Sequence, residues 1–299
     1  MKLPRGYPMI LGAAFFWGIS ATGAKFLLNR NLDAILLVQS RVTFTVVILL
    51  IFYFLFKRGL LVIRLKDLWH FALLGIIGIA GANVCYYITI RESTVATGIL
   101  IQYTAPLVVM TYGATTRAEM LTRWKITAAV LSLAGCFLAV GAYDSSVLTI
   151  TPFGMLTGVG SIVSFAFLNI YTGRVLARYN VWTVTLFSIA CAAGFWMVVN
   201  PPWKVAHLEI GGETWLLLIA LAVFSVLIPH TLYFAGLQYV PPSRAVITST
   251  FEPIVAIISS ALVLGELLAP LQIAGAIMVL GAIVMLQARN EAAHSPEAV

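Results

Sequence analysis

Charged residues are scarce in this chain. Asp, Glu, Lys and Arg make up 10% of its 299 residues, whereas hydrophobic residues make up 61%. A soluble domain is about one quarter charged, because its surface must face water. The mean hydropathy of +0.99 points the same way. The composition therefore excludes an ordinary water-soluble protein and indicates a chain surrounded mostly by lipid.

Cysteines are few and catalytic motifs are missing. Cys85, Cys136 and Cys191 are dispersed in apolar runs and form no Cys-x-x-Cys pair, so neither a disulfide framework nor a metal site is expected. The sequence contains no Gly-x-Ser-x-Gly, no His-Glu-x-x-His and no Walker-type loop. We therefore expect no catalytic residue, no metal and no cofactor, and we interpret the chain as not being an enzyme.

The net charge of +7 does not indicate a nucleic acid partner. The basic residues form short clusters between apolar runs and not a continuous stripe or tail. With the N-terminus in the cytoplasm, 13 of the 18 Lys and Arg residues fall in cytoplasmic connections and 3 in external ones. Because positively charged loops stay on the cytoplasmic side, this distribution predicts that both termini are cytoplasmic.

Long apolar runs are what the sequence has in quantity. A helix needs about 20 residues to cross the hydrocarbon core of a membrane, and ten such stretches follow one another with short connections. The first resembles a signal peptide, but no small-residue cleavage site ends it. We predict an all-α polytopic membrane protein with ten transmembrane helices, at about residues 8–28, 34–56, 69–90, 94–116, 124–143, 152–172, 182–199, 215–235, 243–264 and 270–287.

The two halves of the sequence repeat the same landmarks. In each half a proline is followed by a glutamate and then by an apolar helix. A five-helix unit has an odd number of spans, so a second copy enters the membrane from the opposite side, as in many secondary transporters. We predict two inverted repeats, at residues 1–145 and 146–299. The landmarks that lie 147 residues apart are Pro106 and Pro253, Glu119 and Glu266, and Tyr86 and Tyr233.

The order of these landmarks resembles the EamA domains of the drug/metabolite transporter (DMT) superfamily. The resemblance covers about residues 8–287, and within the superfamily the chain looks most like the YddG-type exporters of aromatic amino acids, with Trp17 in the segment from Gly12 to Gly18. It implies a ten-helix exporter of the bacterial inner membrane with a central cavity. Small multidrug pumps of the superfamily have an acidic residue in the first helix. Here Lys25 is the only charged residue of the first helix, so the proton-coupled export of cationic drugs that those pumps perform is not expected.

Polar and aromatic side chains inside the apolar runs are the candidates for a substrate site. Polar groups are costly in hydrocarbon, so those retained usually face the bundle interior or a wet cavity. Aromatic walls with a few polar groups are the usual composition of a small-molecule site. Ordinary packing of the bundle is the alternative for each residue. The predicted substrate-binding residues are Trp17, Ser20, Asn83, Tyr86, Tyr87, Gln102, Tyr103, Asn169, His230 and Tyr233.

Three prolines are predicted to break helices at membrane depth, namely Pro106, Pro229 and Pro253. Proline removes a backbone donor, and irregular backbone is tolerated there only where protein or water satisfies it. His230 follows one of these prolines and Glu252 precedes another. An imidazole and a carboxylate at such breaks suit an amino group or a proton relay, so both are candidates for proton or ion coupling. A buried structural pair is the alternative.

Two cations also fall inside predicted helices. Arg41 lies about 10 Å from the outer end of the second helix, and Lys25 lies near the end of the first. Arg41 is suited to attract a substrate carboxylate. Snorkelling to the interface, or pairing within the protein, is the alternative that the sequence leaves open.

The sequence therefore predicts a secondary transporter that exports small organic solutes, with aromatic amino acids and related metabolites as the leading class. An exporter of other metabolites, drugs or nucleotide-type substrates stays open. So does a channel, although a channel calls for rings of like charge or a carbonyl filter. An intramembrane enzyme would need a cluster of His or Asp at one depth, which is missing. We expect a monomer whose partners are its small-molecule substrate and membrane lipids.

Overall fold

The computed structural model describes residues 5–30, 32–144, 148, 150–201, 203, 211–264 and 268–292. Within these ranges every regular element is helical, which confirms the predicted all-α class. Two short 3-10 helices lie at Arg58–Leu61 and Leu65–Asp67. The α- and π-helical elements are α1 (Gly6–Asn29), α2 (Ala34–Phe56), α3 (Leu68–Ala72), π1 (Leu73–Gly81), α4 (Ala82–Arg91), α5 (Val95–Gln102), α6 (Ala105–Thr115), α7 (Arg123–Ala139), α8 (Pro152–Leu176), α9 (Val181–Val199), α10 (Gly212–Leu221), π2 (Ala222–Leu227), α11 (Ile228–Leu237), α12 (Pro242–Ser249), α13 (Phe251–Leu264) and α14 (Pro270–Ala292).

Among the described residues, eight helical stretches are long and apolar enough to cross a membrane. Their outward surface is apolar, since large side chains such as Phe56, Val198 and Leu216 are mostly exposed. Such a surface is stable only in lipid. The chain is a multi-pass membrane protein. The eight stretches are Gly6–Leu27, Ile35–Phe56, Leu65–Arg91, Pro152–Leu176, Val181–Val199, Gly212–Leu237, Pro242–Val263 and Pro270–Ala288.

The other two predicted spans are helical but shorter or interrupted. The stretch predicted at 94–116 is divided into α5 and α6, because the helix ends at Gln102 and begins again at Ala105. The stretch predicted at 124–143 holds α7, which has 17 residues. At 1.5 Å per residue α7 is about 26 Å long, slightly less than a typical hydrocarbon core.

Two long helices contain π-helical segments in their middle. The segment π1 joins α3 to α4, and π2 joins α10 to α11. A π turn is wider than an α turn, and such turns are frequent at functional sites. Gly75 lies in π1 where it touches the backbone of α9, and a Cβ there would collide with the Ser188 carbonyl oxygen.

Elements of the two halves begin at matching positions. The helices α2 and α9 begin at residues 34 and 181, α5 and α12 at 95 and 242, and α7 and α14 at 123 and 270, which is 147 residues in each case. The helix caps repeat as well, since Asp33 accepts a hydrogen bond at the start of α2 and Asn180 does so at the start of α9. Glu266, the predicted counterpart of Glu119, lies outside the described residues.

Matching helices of the two halves pack antiparallel where they meet. The start of α2 lies against the end of α9, where Gln39 and Asn200 exchange hydrogen bonds of 2.8 and 2.6 Å. At the other end of this pair, the Tyr53 hydroxyl donates to the Trp182 carbonyl oxygen. The end of α7 likewise lies against the start of α14, because the Gln272 side chain donates to the Ala139 carbonyl oxygen.

The main buried core belongs to both halves. Its members come from α1, α2, α3 and π1 in the first half and from α8, α9, π2, α11 and α12 in the second, for example Tyr7, Val38, Leu168, Ile189 and Tyr233. No half buries its interior alone. The polar residues described next lie beside this shared core, where the two halves meet.

Candidate substrate site

An aromatic cluster joins α1 to α11. The Trp17 ring lies 5.2 Å from the Tyr233 ring and 5.4 Å from the His230 ring, measured between centroids. The edge-to-face contact between Trp17 and His230 is one of the favourable arrangements for aromatic pairs. The helix α11 carries His230 and Tyr233 on one face because they are three residues apart. Three of the predicted substrate-binding residues are therefore in direct contact.

His230 and Asn83 form hydrogen bonds to backbone carbonyls that lie at equivalent positions in the two halves of the chain. The His230 Nδ1 lies 3.0 Å from the Val226 carbonyl oxygen, and the Asn83 side-chain amide donates to the Ile79 carbonyl oxygen at 2.7 Å. Val226 belongs to π2 and Ile79 to π1. A carbonyl accepts a hydrogen bond, so His230 carries its proton on Nδ1 and its Nε2 is left as an acceptor in the neutral ring. An imidazole in this state suits a proton relay or an ammonium donor.

Glu252 lies at the break between α12 and α13. The Tyr103 hydroxyl, at the break between α5 and α6, donates to Glu252 Oε2 at 2.9 Å. Pro106 and Pro253 lie in the first turns of the helices that follow these breaks. Pro229 lies differently, since the chain passes from π2 into α11 without a gap. Among the described residues, Glu252 has no ion-pair partner.

Glu252 is only partly buried. The Glu252, His230 and Trp17 residues are each partly buried and keep part of their surface accessible. Glu252 is also close enough to Tyr86 and Tyr233 to interact with their hydroxyls electrostatically.

The remaining predicted residues surround this cluster or lie apart from it. Asn169 is fully buried and accepts a short hydrogen bond from the Tyr233 hydroxyl, so it supports the cluster from α8. Gln102 accepts a hydrogen bond from Ser161 at 3.3 Å. Ser20 is buried, and its hydroxyl has no partner among the described groups. The structure thus places Asn169 in direct contact with the aromatic cluster. Gln102 is hydrogen-bonded to Ser161 of α8 instead.

Arg41, which the sequence marks as suited to attract a substrate carboxylate, lies next to the cluster. Its guanidinium donates to the Tyr87 hydroxyl at 3.0 Å and to Ser225 Oγ at 3.4 Å. It also interacts electrostatically with His230. Arg41 is therefore directed into the bundle and does not snorkel to the interface. The position of Arg41 in an apolar run was the signal for it, but nothing in the sequence singled out Ser225.

Two surface grooves lie away from the cluster. One, of about 450 Å³, is lined by Leu50, Ile51, Phe54, Leu55 and Leu61. The other, of about 180 Å³, lies between α6 and α7. Both have largely apolar walls and lie on the outside of the bundle. Neither contains a predicted site residue.

Comparison with known proteins identifies the family. The model of the EamA-like transporter family matches residues 4–141 and again residues 152–287. The chain belongs to the EamA-like transporter family. The two matches cover most of the chain, and each coincides with one set of the landmarks that recur 147 residues apart. The resemblance drawn from the sequence is confirmed at this level, whereas the YddG-type subgroup stays a prediction.

Relatives of this EamA-like protein are described as transporters. An uncharacterized inner membrane transporter, YicL of Salmonella typhimurium, is 24% identical over 287 residues, which cover 94% of this chain and 95% of that protein. The uncharacterized transporter YwfM of Bacillus subtilis is 26% identical over 95% of this chain and 96% of its own. The threonine/homoserine exporter RhtA of Escherichia coli is 25% identical over 70% of this chain and 66% of its own.

A solved structure has the same fold. One protein in a crystal structure superimposes with a TM-score of 0.77 and 18% identity, over 97% of this chain and 99% of that chain. At this identity the likeness concerns the fold alone. The shared helical arrangement thus extends over nearly the whole chain.

Proposed function

We propose that this EamA-like protein is a secondary transporter that exports amino acids with aromatic side chains, and related small metabolites, by alternating access. One observation carries the proposal. The partly accessible Trp17 ring packs on the buried Tyr233, which interacts with the partly accessible Glu252 carboxylate where the two halves meet. Aromatic rings suit an aromatic side chain, and a carboxylate suits an ammonium group.

The proposed architecture has ten spans in two inverted five-helix units, residues 1–145 and 146–299. The interrupted helix α5–α6 and the short helix α7 provide the two spans beyond the eight long ones. The elements that begin 147 residues apart support a duplication. The antiparallel contacts of α2 with α9 and of α7 with α14 support the inversion, because a unit with an odd number of spans reverses its successor.

We place the protein in the bacterial inner membrane, with both termini in the cytoplasm and the monomer as the working unit. The orientation is supported by the concentration of Lys and Arg in alternate connections. The membrane is supported by the relative YicL, which is described as an inner membrane transporter. An epitope at each end of the chain, tested for access in intact and in permeabilised cells, checks the orientation.

Flux into liposomes tests the substrate class. Purified protein should move labelled Trp, Phe or Tyr, and an unlabelled amino acid on the far side should accelerate exchange, since a carrier saturates and exchanges whereas a channel does not. RhtA favours a second candidate, the export of small polar amino acids, because its name gives threonine and homoserine. Threonine and homoserine therefore belong in the same assay. Absence of flux above empty vesicles for every aromatic amino acid contradicts the aromatic class.

Replacing Glu252 tests proton coupling. We expect wild-type flux to respond to a pH gradient and the Glu252→Gln variant to lose that response, because the amide cannot release a proton. Glu213→Gln is the matched control, since Glu213 lies at the surface with its side chain 76% exposed. A gradient response that persists in Glu252→Gln removes Glu252 from the coupling step.

A further inference from the structure

Arg41 is an interior cation without a described counter-ion. Its guanidinium donates to the Tyr87 hydroxyl and to Ser225 Oγ, and its buried Nε has no hydrogen-bond partner. In the part of the chain that the structure describes, no carboxylate lies within ion-pair distance of Arg41. The two hydroxyls solvate the guanidinium without neutralising it.

An unpaired cation inside a membrane bundle needs a reason. Charged groups in membrane spans are expensive, and they usually pair with each other or mark the path of a substrate or ion. Arginine also presents its N–H groups in a planar fork that matches the two oxygens of a carboxylate. An anion that binds beside Arg41 would supply the charge that Tyr87 and Ser225 lack.

The other half of the chain packs the equivalent place without a charge. At a separation of 147 residues, the counterparts of Arg41, Tyr87 and Ser225 are Ser188, Phe234 and Gly78. Ser188 and Phe234 are fully buried, and Gly78 packs against Leu168. At this equivalent place the helices therefore pack against one another through small and apolar side chains. Packing alone does not require the guanidinium in the first half.

We propose that Arg41, with Tyr87 and Ser225, binds the carboxylate group of the transported solute. This inference rests on the proposed function and deepens it, because it makes the substrate a carboxylate-bearing compound. The Tyr87 ring lies 5.7 Å from the Tyr86 ring, which in turn interacts with Glu252. Arg41 thus bonds to one member of a tyrosine pair whose other member interacts with Glu252. The solute is a zwitterion, whose carboxylate faces Arg41 and whose ammonium faces Glu252.

The local structure explains how these three side chains meet. Ser225 lies in π2, and its hydroxyl also donates to the Leu221 carbonyl oxygen, which fixes its orientation. Arg41 is held next to this segment because the Thr45 hydroxyl, one turn along α2, donates to the Ala222 carbonyl oxygen at 2.9 Å. The distance between α2 and π2 is therefore set by a buried contact beside the site and not by the arginine itself.

Binding to purified protein in detergent tests the inference with three probes. Phenylalanine carries both charged groups, phenylalaninamide lacks the carboxylate, and 3-phenylpropionate lacks the ammonium. We expect Arg41→Gln to lower the affinity for phenylalanine and 3-phenylpropionate at least tenfold and to change the affinity for phenylalaninamide by no more than about twofold. Tyr87→Phe removes one hydroxyl and should lower the affinity for the two carboxylate-bearing probes about threefold. Lys25→Gln is the matched control for the loss of one cation and should leave all three affinities unchanged.

The outcomes separate this inference from the proposed function. Equal losses for phenylalanine and its amide in Arg41→Gln, or no loss for either, overturn the carboxylate site. If Arg41→Gln elutes as an aggregate, Tyr87→Phe decides, and an unchanged ratio of carboxylate to amide affinity overturns the inference. Failure of wild-type liposomes to move any amino acid contradicts the proposed function. The Arg41 site is then judged by 3-phenylpropionate binding alone, and a wild-type protein that does not bind it overturns the site as well.

Discussion

The Tyr103 hydroxyl and the Glu252 carboxylate are joined by a hydrogen bond of 2.9 Å although they lie 149 residues apart. Each residue stands at the interruption of a helix, one in the first half of the chain and one in the second. The bond therefore ties together the two breaks that the internal repeat places at equivalent positions. A movement of one half against the other has to stretch or break it.

Removal of this hydroxyl is the first prediction. Among the described residues, Tyr103 is the hydrogen-bond donor to Glu252, so Tyr103→Phe leaves a carboxylate that only water or substrate can satisfy. We expect the maximal flux to fall about three- to tenfold, with a change in folding free energy of about 1 kcal/mol, the usual net value of one hydrogen bond. The measurement is initial flux in liposomes together with the melting temperature in detergent.

Tyr239→Phe is the control for the Tyr103 variant. Tyr239 is 54% exposed, so loss of its hydroxyl should affect neither flux nor stability. A Tyr103→Phe protein with wild-type flux at every pH tested would show that the bond between the two breaks has no part in transport.

Close packing between α7 and α14 gives the second prediction. A Cβ on Gly275 would lie 2.5 Å from the Ala139 backbone nitrogen and 2.5 Å from the Gly135 carbonyl oxygen, and backbone atoms cannot yield as a side chain can. We expect Gly275→Ala to destabilise the protein by about 1–3 kcal/mol, the usual cost of overpacking. Tryptophan fluorescence during heating in detergent measures this as a lower melting temperature.

The same helix provides the control for Gly275. A Cβ on Gly281 would meet only the Leu131 side chain, at an ordinary 3.8 Å. Gly281→Ala should therefore melt close to the wild type, or slightly above it, because alanine favours the helix. Equal melting temperatures for the two variants would contradict the close approach of α7 and α14 at Gly275.

The sequence was sufficient for the family and for most helices, because both depend on patterns that are local in the chain. Apolar runs of membrane length can be recognised residue by residue, and the recurrence of Pro106 at Pro253 needs only a count. The proline does not mark the position of the helix interruption itself, which lies at residues 103–104. Pro106 comes after α5 has ended and lies inside the first turn of α6, because proline is tolerated in the first turn of a helix.

The site was less predictable, because it depends on which helix faces lie next to each other. The sequence marks Trp17, His230 and Tyr233 as aromatic or polar residues in apolar runs, and the structure brings them into contact. Ser225 was missed because a serine in an apolar helix is ordinary, and only its place in π2 beside Arg41 distinguishes it. No periodicity in the sequence marked the π-helical segments.

The last prediction concerns an ion pair at the end of α6. Lys125 Nζ lies 2.8 Å from Glu119 Oε2, and the two side chains are only 8% and 12% exposed. Both the backbone N–H and the hydroxyl of Ser243 donate to the same carboxylate. Glu119 thus connects α7 to the first turn of α12, and hence the first half of the chain to the second.

Replacing Glu119 should destabilise the protein strongly. In Glu119→Gln the buried Lys125 loses its counter-ion, which costs about 3–5 kcal/mol for pairs of this kind. The double variant with Lys125→Met should recover most of the loss, because no buried charge is then left unpaired. Melting temperatures of the two single variants and the double variant measure the coupling, and simple addition of the two single effects would contradict a direct ion pair.

The same carboxylate gives this prediction a pH dependence. Burial favours the neutral form and by itself would raise the pKa of Glu119, but the hydrogen bonds from Lys125 and Ser243 outweigh it and hold the pKa below its ordinary 4.5. A lowered pKa in the folded protein means that the stabilisation is complete above about pH 4.5 and is lost as the pH falls through the folded value. The difference in melting temperature between wild type and Glu119→Gln should therefore be constant at neutral pH and shrink on acidification below pH 4.5. A difference that stays constant down to pH 3 would show that Glu119 is not stabilised in its charged form, and the connection between α7 and α12 would then need another explanation.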